Sequence, residues 1–142
     1  MRLTEYDADV AAPASEWLAL DEAERVLLVE AYHRRLGIDH PQLKLHATLH
    51  TVVENQVAAR EAHVLEAFAR LQREGLTRHE AVHAIGLAVV EQMVEVFKSR
   101  TVAGSPPVMP YGERVRQLTA EVWRRSGDRA EEQLTAPGSD TD

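Results

Sequence analysis

Apolar residues recur along most of this chain three and four positions apart, which is the spacing of one face of an α-helix. No segment shows the two-residue alternation that is typical of a half-buried β-strand. The pattern predicts an all-α fold, a small bundle of about four to five helices that forms a single domain over residues 1–126. The sequence then becomes polar, and residues 127–142 are predicted to be a disordered tail.

Two sequence patterns mark the starts of helices. Asp21 is followed three residues later by Glu24, and Thr77 is followed by Glu80. In such a capping box the first side chain accepts a hydrogen bond from the backbone N–H three residues on, and the glutamate reaches back. Gly37 predicts the end of the helix that begins at Asp21. The core face predicted for this helix consists of Val26, Leu27, Val29, Ala31, Tyr32 and Leu36.

Periodicity predicts the extent of the other helices. A helix over about 43–57 runs into a stretch that keeps helical spacing, so residues 43–74 form either one long helix or two shorter ones. The helix over about 78–98 is apolar around most of its circumference, which predicts the central, most buried position. A last amphipathic helix is expected over 112–125, after an irregular lead-in over 1–14 at the other end of the chain. The core face of the last helix is predicted to carry Val115, Leu118 and Val122.

Composition limits the classes of function. Of the 142 residues, 44% are hydrophobic and 27% are charged, as in an ordinary soluble domain. The net charge is −7 with both signs interleaved, so neither nucleic acid nor an anionic membrane surface is expected as a partner. The N-terminus lacks the apolar stretch of a signal peptide, and no apolar run could span a bilayer, which predicts a cytoplasmic protein. A homo-oligomer is left open, because a second copy could cover part of the apolar helix over 78–98.

The chain contains no cysteine, so a metal site must use histidine or carboxylate ligands. Two pairs, His46 with His50 and His79 with His83, are each spaced four residues apart, which places both rings on one helix face. If the two helices pack side by side, the pairs can supply three or four metal ligands to one ion, with Glu54 as an alternative ligand. Nitrogen-rich sites without sulfur suit zinc first and iron second, among divalent transition metals.

The second pair also spells HExxH, the zinc-binding pattern of metallopeptidases. In a hydrolase of that type Glu80 would be the catalytic base that activates a zinc-bound water. The predicted capping box gives Glu80 a structural explanation instead, and Glu91 lies about 12 Å along the helix beyond His83, too far to be the third ligand. The sequence therefore favours a helix cap over a catalytic base.

The sequence offers five other polar residues that could contribute to this site. Asn55 and Gln56 follow Glu54 and are expected to support the ligands by hydrogen bonds. His33 is interpreted as a charge that offsets the dipole at the end of its helix. His40, in a connector before a proline, could fold over the site as an extra ligand, although an exposed role is favoured. His63 is predicted to lie on the surface.

Both histidine helices carry longer motifs. His46-Ala47-Thr48-Leu49-His50 leads to Glu54-Asn55-Gln56, and Gly75-Leu76-Thr77-Arg78-His79-Glu80-Ala81-Val82-His83 leads to Ala84-Ile85-Gly86. In these motifs the stretch over 32–94 resembles a family of uncharacterised bacterial helical domains, defined by an HxxxH helix and a second histidine-pair helix. The resemblance implies a helical fold and a metal site but no reaction. Leu87 stands where some related sequences carry an acidic residue.

The leading hypothesis is a metal-binding helical protein that holds one ion between two helices. The alternatives are a zinc-dependent hydrolase that uses Glu80, and a non-enzymatic interaction module whose histidines are incidental. No phosphate-binding loop, nucleophile elbow or pair of catalytic carboxylates points to a substrate.

Overall fold

The computed structural model describes residues 2–127, which form helices joined by loops, with no β-strand among them. In chain order the helices are α1 (Ala14–Ala19), α2 (Glu22–Arg35), α3 (Leu43–Ala58), α4 (Ala62–Arg73), α5 (Arg78–Thr101), α6 (Tyr111–Arg116) and α7 (Ala120–Val122). One π-helical turn, Trp123–Gly127, follows α7. The predicted all-α fold is confirmed. The predicted tail over 127–142 lies outside the described residues except for the backbone of Gly127.

Both predicted capping boxes are formed. The Asp21 carboxylate accepts a hydrogen bond from the Glu24 N–H at 2.9 Å, and Glu24 accepts one from the Asp21 N–H at 3.0 Å. The same reciprocal pair joins Thr77 and Glu80 at 2.9 and 3.0 Å. Gly37 takes φ 86°, which ends α2 as predicted. The starts of α2 and α5 are thus fixed by local hydrogen bonds.

The stretch over 43–74 forms two helices. Their connection turns at Arg60, which takes φ 60°, a left-handed conformation that few residues other than glycine adopt. Helical spacing continues across the break because α3 and α4 both turn their apolar faces to the same core. Periodicity alone therefore leaves one helix and two helices equally compatible with the sequence.

Two hydrophobic clusters hold the helices together. The larger one joins α3, α4, α5 and α6 through side chains that include Val53, Phe68, Leu71, Ile85 and Val115. The smaller one joins the N-terminal segment to α1, α2 and α3 through Tyr6, Trp17, Val29, Tyr32 and Ala47. Helix α3 contacts both α2 and α5, so its polar stripe lies where three helices meet.

The predicted core face of α2 is only partly correct. Val29 and Tyr32 are buried, but Leu27 and Leu36 are 58% and 54% exposed. Leu27 lies outside the buried face of α2, and Leu36 is the C-cap residue, after the last helical turn. His33 is buried beside Val29 and Tyr32, at a position where a continuous apolar stripe would have another apolar residue.

Helix α5 is central only over its first half. All its buried residues lie between Ala81 and Val89, whereas Met93 and Phe97 are 61% and 67% exposed. The prediction of the most buried helix is therefore wrong for the second half. With 24 residues, α5 is longer than α3 with 16 or α4 with 12, and it extends beyond both. Even so, none of the described helices is both long and apolar enough to cross a membrane.

The two ends of the fold also differ from expectation. The helix predicted over 112–125 is interrupted after α6, because the Thr119 side chain accepts a hydrogen bond from the Val122 N–H and starts a new turn. Val115 is buried as predicted, but Val122 is 51% exposed. At the N-terminal end, the lead-in is irregular as expected, yet it places Tyr6 in the core at 1% exposure.

Candidate metal centre

Four histidines meet where α2, α3 and α5 pack. They are His33, His46, His50 and His83, and one ring nitrogen from each lies within 4.8 Å of the others. The two α3 rings face His33 at centroid distances of 4.6 and 4.7 Å, and they face His83 at 4.9 and 4.8 Å. Three of the four histidines predicted as ligands thus belong to this donor group, and the fourth member, His33, comes from α2.

His79, the remaining predicted ligand, lies beside the donor group. Its ring centroid is 4.3 Å from that of His83 and 5.1 Å from that of His50. Its Nδ1 is 3.4 Å from the Tyr32 hydroxyl, and its backbone N–H donates to Asp9 at 3.1 Å. It is a fifth imidazole in the cluster, held at the side nearest the N-terminal segment.

The interpretation of His33 as a dipole-compensating surface charge is wrong. Its side chain is fully buried, and Nδ1 lies 2.9 Å from the Val29 carbonyl oxygen. A carbonyl only accepts hydrogen bonds, so Nδ1 carries the proton and Nε2 keeps its lone pair. That Nε2 is buried and has no hydrogen-bond partner in the described part of the chain. The ring can therefore act as a nitrogen ligand.

His50 is fixed by a chain of buried polar groups. Its Nδ1 lies 3.2 Å from the Tyr6 hydroxyl, which itself donates to Glu54 Oε2 at 2.5 Å. Because the tyrosine proton is used on Glu54, the hydrogen bond from His50 must run from its Nδ1–H to the tyrosine oxygen. The His50 Nε2 therefore carries the lone pair, and it lies 2.9 Å from His83 Nε2.

Glu54 holds the end of this chain and lies outside the donor group. Its two oxygens accept hydrogen bonds from Arg78 Nη1 and Nη2, both at 2.8 Å, in a bidentate ion pair. Arg78 also donates to the Ala8 carbonyl at 2.9 Å, which fastens the N-terminal segment over the site. Tyr6 and Arg78 both bind Glu54, so Glu54 orients His50 indirectly, through the Tyr6 hydroxyl.

Asn55 and Gln56 do not support the histidines. Asn55 Oδ1 accepts hydrogen bonds from the Trp17 indole at 2.8 Å and from Arg25 at 3.0 Å. Gln56 accepts one from the Tyr111 hydroxyl at 2.8 Å. Together with Glu54, these side chains tie α3 to the N-terminal segment and α5, to α1 and α2, and to α6. The polar cluster at this end of α3 is a structural junction.

Three other predicted residues lie away from the donor group. Glu80 accepts a hydrogen bond from the Thr77 N–H and so occupies one carboxylate oxygen in the helix cap. His40 Nδ1 accepts a hydrogen bond from the Gln42 N–H in the connector before α3, so it does not fold over the site. His63 is exposed on α4, as predicted.

Burial keeps the histidines of the cluster neutral. It lowers the pKa of His33 to about 4 and that of His46 to about 3. It also lowers the pKa of His50 and His83 well below the usual value, and neighbouring imidazoles add to this effect. The pKa of His79 is lowered mainly by burial, against an opposing effect of Asp9 and other nearby acidic groups. At neutral pH the rings therefore offer lone pairs rather than charges.

Three residues that shape this centre were not predicted from the sequence. His33 lies one turn after Val29, so its place on the predicted core face was a usable signal. Arg78 directly precedes the second histidine pair, and a basic residue there can face an acidic one on a neighbouring helix. Tyr6 is the only aromatic residue of the lead-in, which is a weaker signal because that segment has no periodicity.

Comparisons of the chain with known protein families, with curated proteins and with solved structures find no match. The resemblance to helical domains with paired histidine motifs therefore stays a prediction. What the centre can do is inferred from its own geometry.

Proposed function

We propose that the protein binds one divalent transition-metal ion, with His33, His46, His50 and His83 as its ligands. The convergence of four ring nitrogens within 4.8 Å carries this proposal. Zinc–nitrogen bonds are about 2.0–2.1 Å long, so two nitrogens on one ion are at most about 4.2 Å apart. Small rotations of the rings are enough to close the difference.

Protonation supports the same interpretation. His33 and His50 each have Nδ1–H engaged as a donor, which leaves Nε2 as the coordinating atom in both. His50 Nε2 and His83 Nε2 are 2.9 Å apart. Two lone pairs at that distance repel each other, so these nitrogens share either one proton or one metal ion. Binding an ion satisfies both rings at once.

The donor set also selects the kind of ion. Neutral imidazole nitrogens suit zinc, iron, copper and nickel, whereas magnesium and calcium require oxygen ligands. Zinc is our first choice and iron the second. Four protein ligands fill a tetrahedral zinc shell and leave no open position for a substrate, which favours a structural or storage role over catalysis.

The direct test is elemental analysis of the full chain, purified without a polyhistidine tag and without added metal. We expect about one equivalent of zinc or iron per chain, or uptake of one equivalent on titration. His63→Ala, on the surface of α4, is the control and is expected to bind the same amount. Less than about a tenth of an equivalent after titration would overturn the proposal.

A further inference from the structure

The second half of α5 presents a stripe of exposed apolar side chains. Met93 is 61% exposed, Val94 45% and Phe97 67%. Met93 and Phe97 are four residues apart, and Val94 precedes Phe97 by three, so the three side chains share one face of the helix. Contiguous apolar surface of this kind marks sites where proteins associate.

The opposite face of the same segment is covered. Arg114 of α6 lies 2.7 Å from Glu95 and donates to Gln92 at 2.9 Å. Ser105, in the loop before α6, donates to the Lys98 carbonyl at 3.1 Å. Because each residue advances the helix by about 100°, Glu95 points about 160° away from Phe97. The segment is thus held on one side, and its apolar stripe faces away from the fold.

We propose that this stripe is an interface between two copies of the chain. The second halves of two α5 helices pack antiparallel about a two-fold axis at the level of Glu95. In that arrangement Phe97 of each copy lies opposite Met93 of the other, where a thioether can pack on an aromatic ring. This interface is independent of the metal centre, which lies in the first half of α5.

Charge favours a second copy over other partners. Glu91 and Lys98 lie on the same flank of the stripe, each about 100–120° from Phe97 around the helix. The two-fold axis places Glu91 of one copy next to Lys98 of the other, twice per dimer. Glu91 forms a long ion pair with Arg114 at 3.7 Å, and because its side chain is 62% exposed it can also reach the lysine of the second copy. A uniformly acidic or basic partner would match one of these charges and repel the other.

Sedimentation equilibrium of the full chain tests this proposal. A contact of about three helical turns per copy is small, so we expect a dimer with a dissociation constant in roughly the micromolar range. The mass should rise from 15.9 kDa toward twice that value as the protein is concentrated. A chelator is present throughout, so that metal ions do not bridge surface histidines of two chains.

Two matched variants locate the interface. Phe97→Glu is expected to stay monomeric at every concentration, because it places a charge in the centre of the apolar contact. Leu27→Glu makes the same change at a residue that is 58% exposed on α2, and it should dimerise like the unaltered protein. Circular dichroism confirms that both variants keep their helices.

A charge exchange tests the antiparallel geometry. Lys98→Glu should weaken the dimer at least about tenfold, and adding Glu91→Lys should restore most of the affinity, as coupled neighbours do. The proposal is overturned if the unaltered chain stays monomeric up to about 0.5 mM, well above micromolar affinity. It is equally overturned if Leu27→Glu disrupts association as strongly as Phe97→Glu, or if the double variant is as weak as Lys98→Glu.

Discussion

Helices α3 and α5 carry the same histidine spacing and use it differently. Both His46 and His50 of α3 belong to the donor group, whereas on α5 only His83 does. The α3 pair lies beside α2, which adds a ring from the third side. His79 lies in the first turn of α5, where its backbone is held by Asp9 of the N-terminal segment. Spacing decides which rings share a face, and the neighbouring helices decide which of those rings meet at one point.

The comparison is tested most severely by removing His33 and His79 in two separate variants. His33→Ala should weaken zinc binding by at least about a hundredfold, because it removes one of the four proposed ligands to the ion. His79→Ala should change the affinity by less than about threefold, since its ring lies beside the donor group. Competition against a chromophoric chelator measures both affinities.

The opposite result would restore the ligand set predicted from the sequence. If His79→Ala released the ion while His33→Ala kept it, the α5 pair would act as a unit and α2 would only pack against it. Circular dichroism and the surface variant His63→Ala separate loss of a ligand from loss of the fold.

The two pairs also differ in what fixes their rings. His50 donates to Tyr6, which is anchored by Glu54 at 2.5 Å, whereas within residues 2–127 the His79 ring has only the Tyr32 hydroxyl at 3.4 Å as a hydrogen-bond partner. Tyr6→Phe should therefore weaken zinc binding by about 10–100-fold, the usual effect of removing a group that orients a ligand. Tyr32→Phe should leave the affinity nearly unchanged.

Both variants keep the aromatic ring and remove only a hydroxyl, so packing of the N-terminal segment is retained. Chelator competition gives the affinities, and thermal unfolding without metal gives the stabilities. Equal affinities for Tyr6→Phe and the unaltered chain would mean that His50 keeps its orientation without the buried chain of hydrogen bonds.

The sequence was sufficient for what local chemistry decides. The capping boxes at Asp21 and Thr77 fixed two helix starts, and the spacing of His46 and His50 identified one face of the centre. The helix break at Arg60 could not be predicted, because the helical periodicity continues through it. The place of His33 in the donor group was not predicted, because it depends on how α2 packs against α3. The residue pattern of a single helix carries no information about that packing.

The donor group departs more from expectation than the fold does. Glu54 has the charge and position of a ligand, but Arg78 and Tyr6 take up its oxygens. Which partner a buried carboxylate takes depends on the residues that the tertiary fold brings to it. Tyr6 comes from a segment without any pattern, so nothing in the sequence connected it to His50.

The two histidine pairs should contribute differently to the loss of stability at acidic pH, because their rings differ in burial. Unfolded histidine has a pKa near 6.5, and burial lowers that of folded His46 to about 3. Below pH 6.5 the unfolded chain binds a proton that the folded chain does not, so the free energy of unfolding falls as the pH falls toward about 3. His46→Ala should reduce this slope by up to about 1.4 kcal/mol per pH unit.

Removing His79 should reduce the slope less, because its pKa is lowered against the opposing effect of nearby acidic groups. Urea unfolding in chelator between pH 7.5 and 5 measures the slopes, with His63→Ala as the control. A stability that stays flat over this range would show that the buried rings accept protons without strain on the fold.

The smallest expected effect concerns Glu80, which separates a cap on α5 from a catalytic base. Glu80→Ala should lower the free energy of unfolding by about 1 kcal/mol or less and leave metal affinity unchanged. Glu80→Gln should recover most of the stability, since glutamine can fill the same position of a capping box. Glu24→Ala, at the equivalent position of the α2 box, provides the matched stability loss. Weaker metal binding by either Glu80 variant would instead place this glutamate in the centre, and would make the α5 pair a functional HExxH motif.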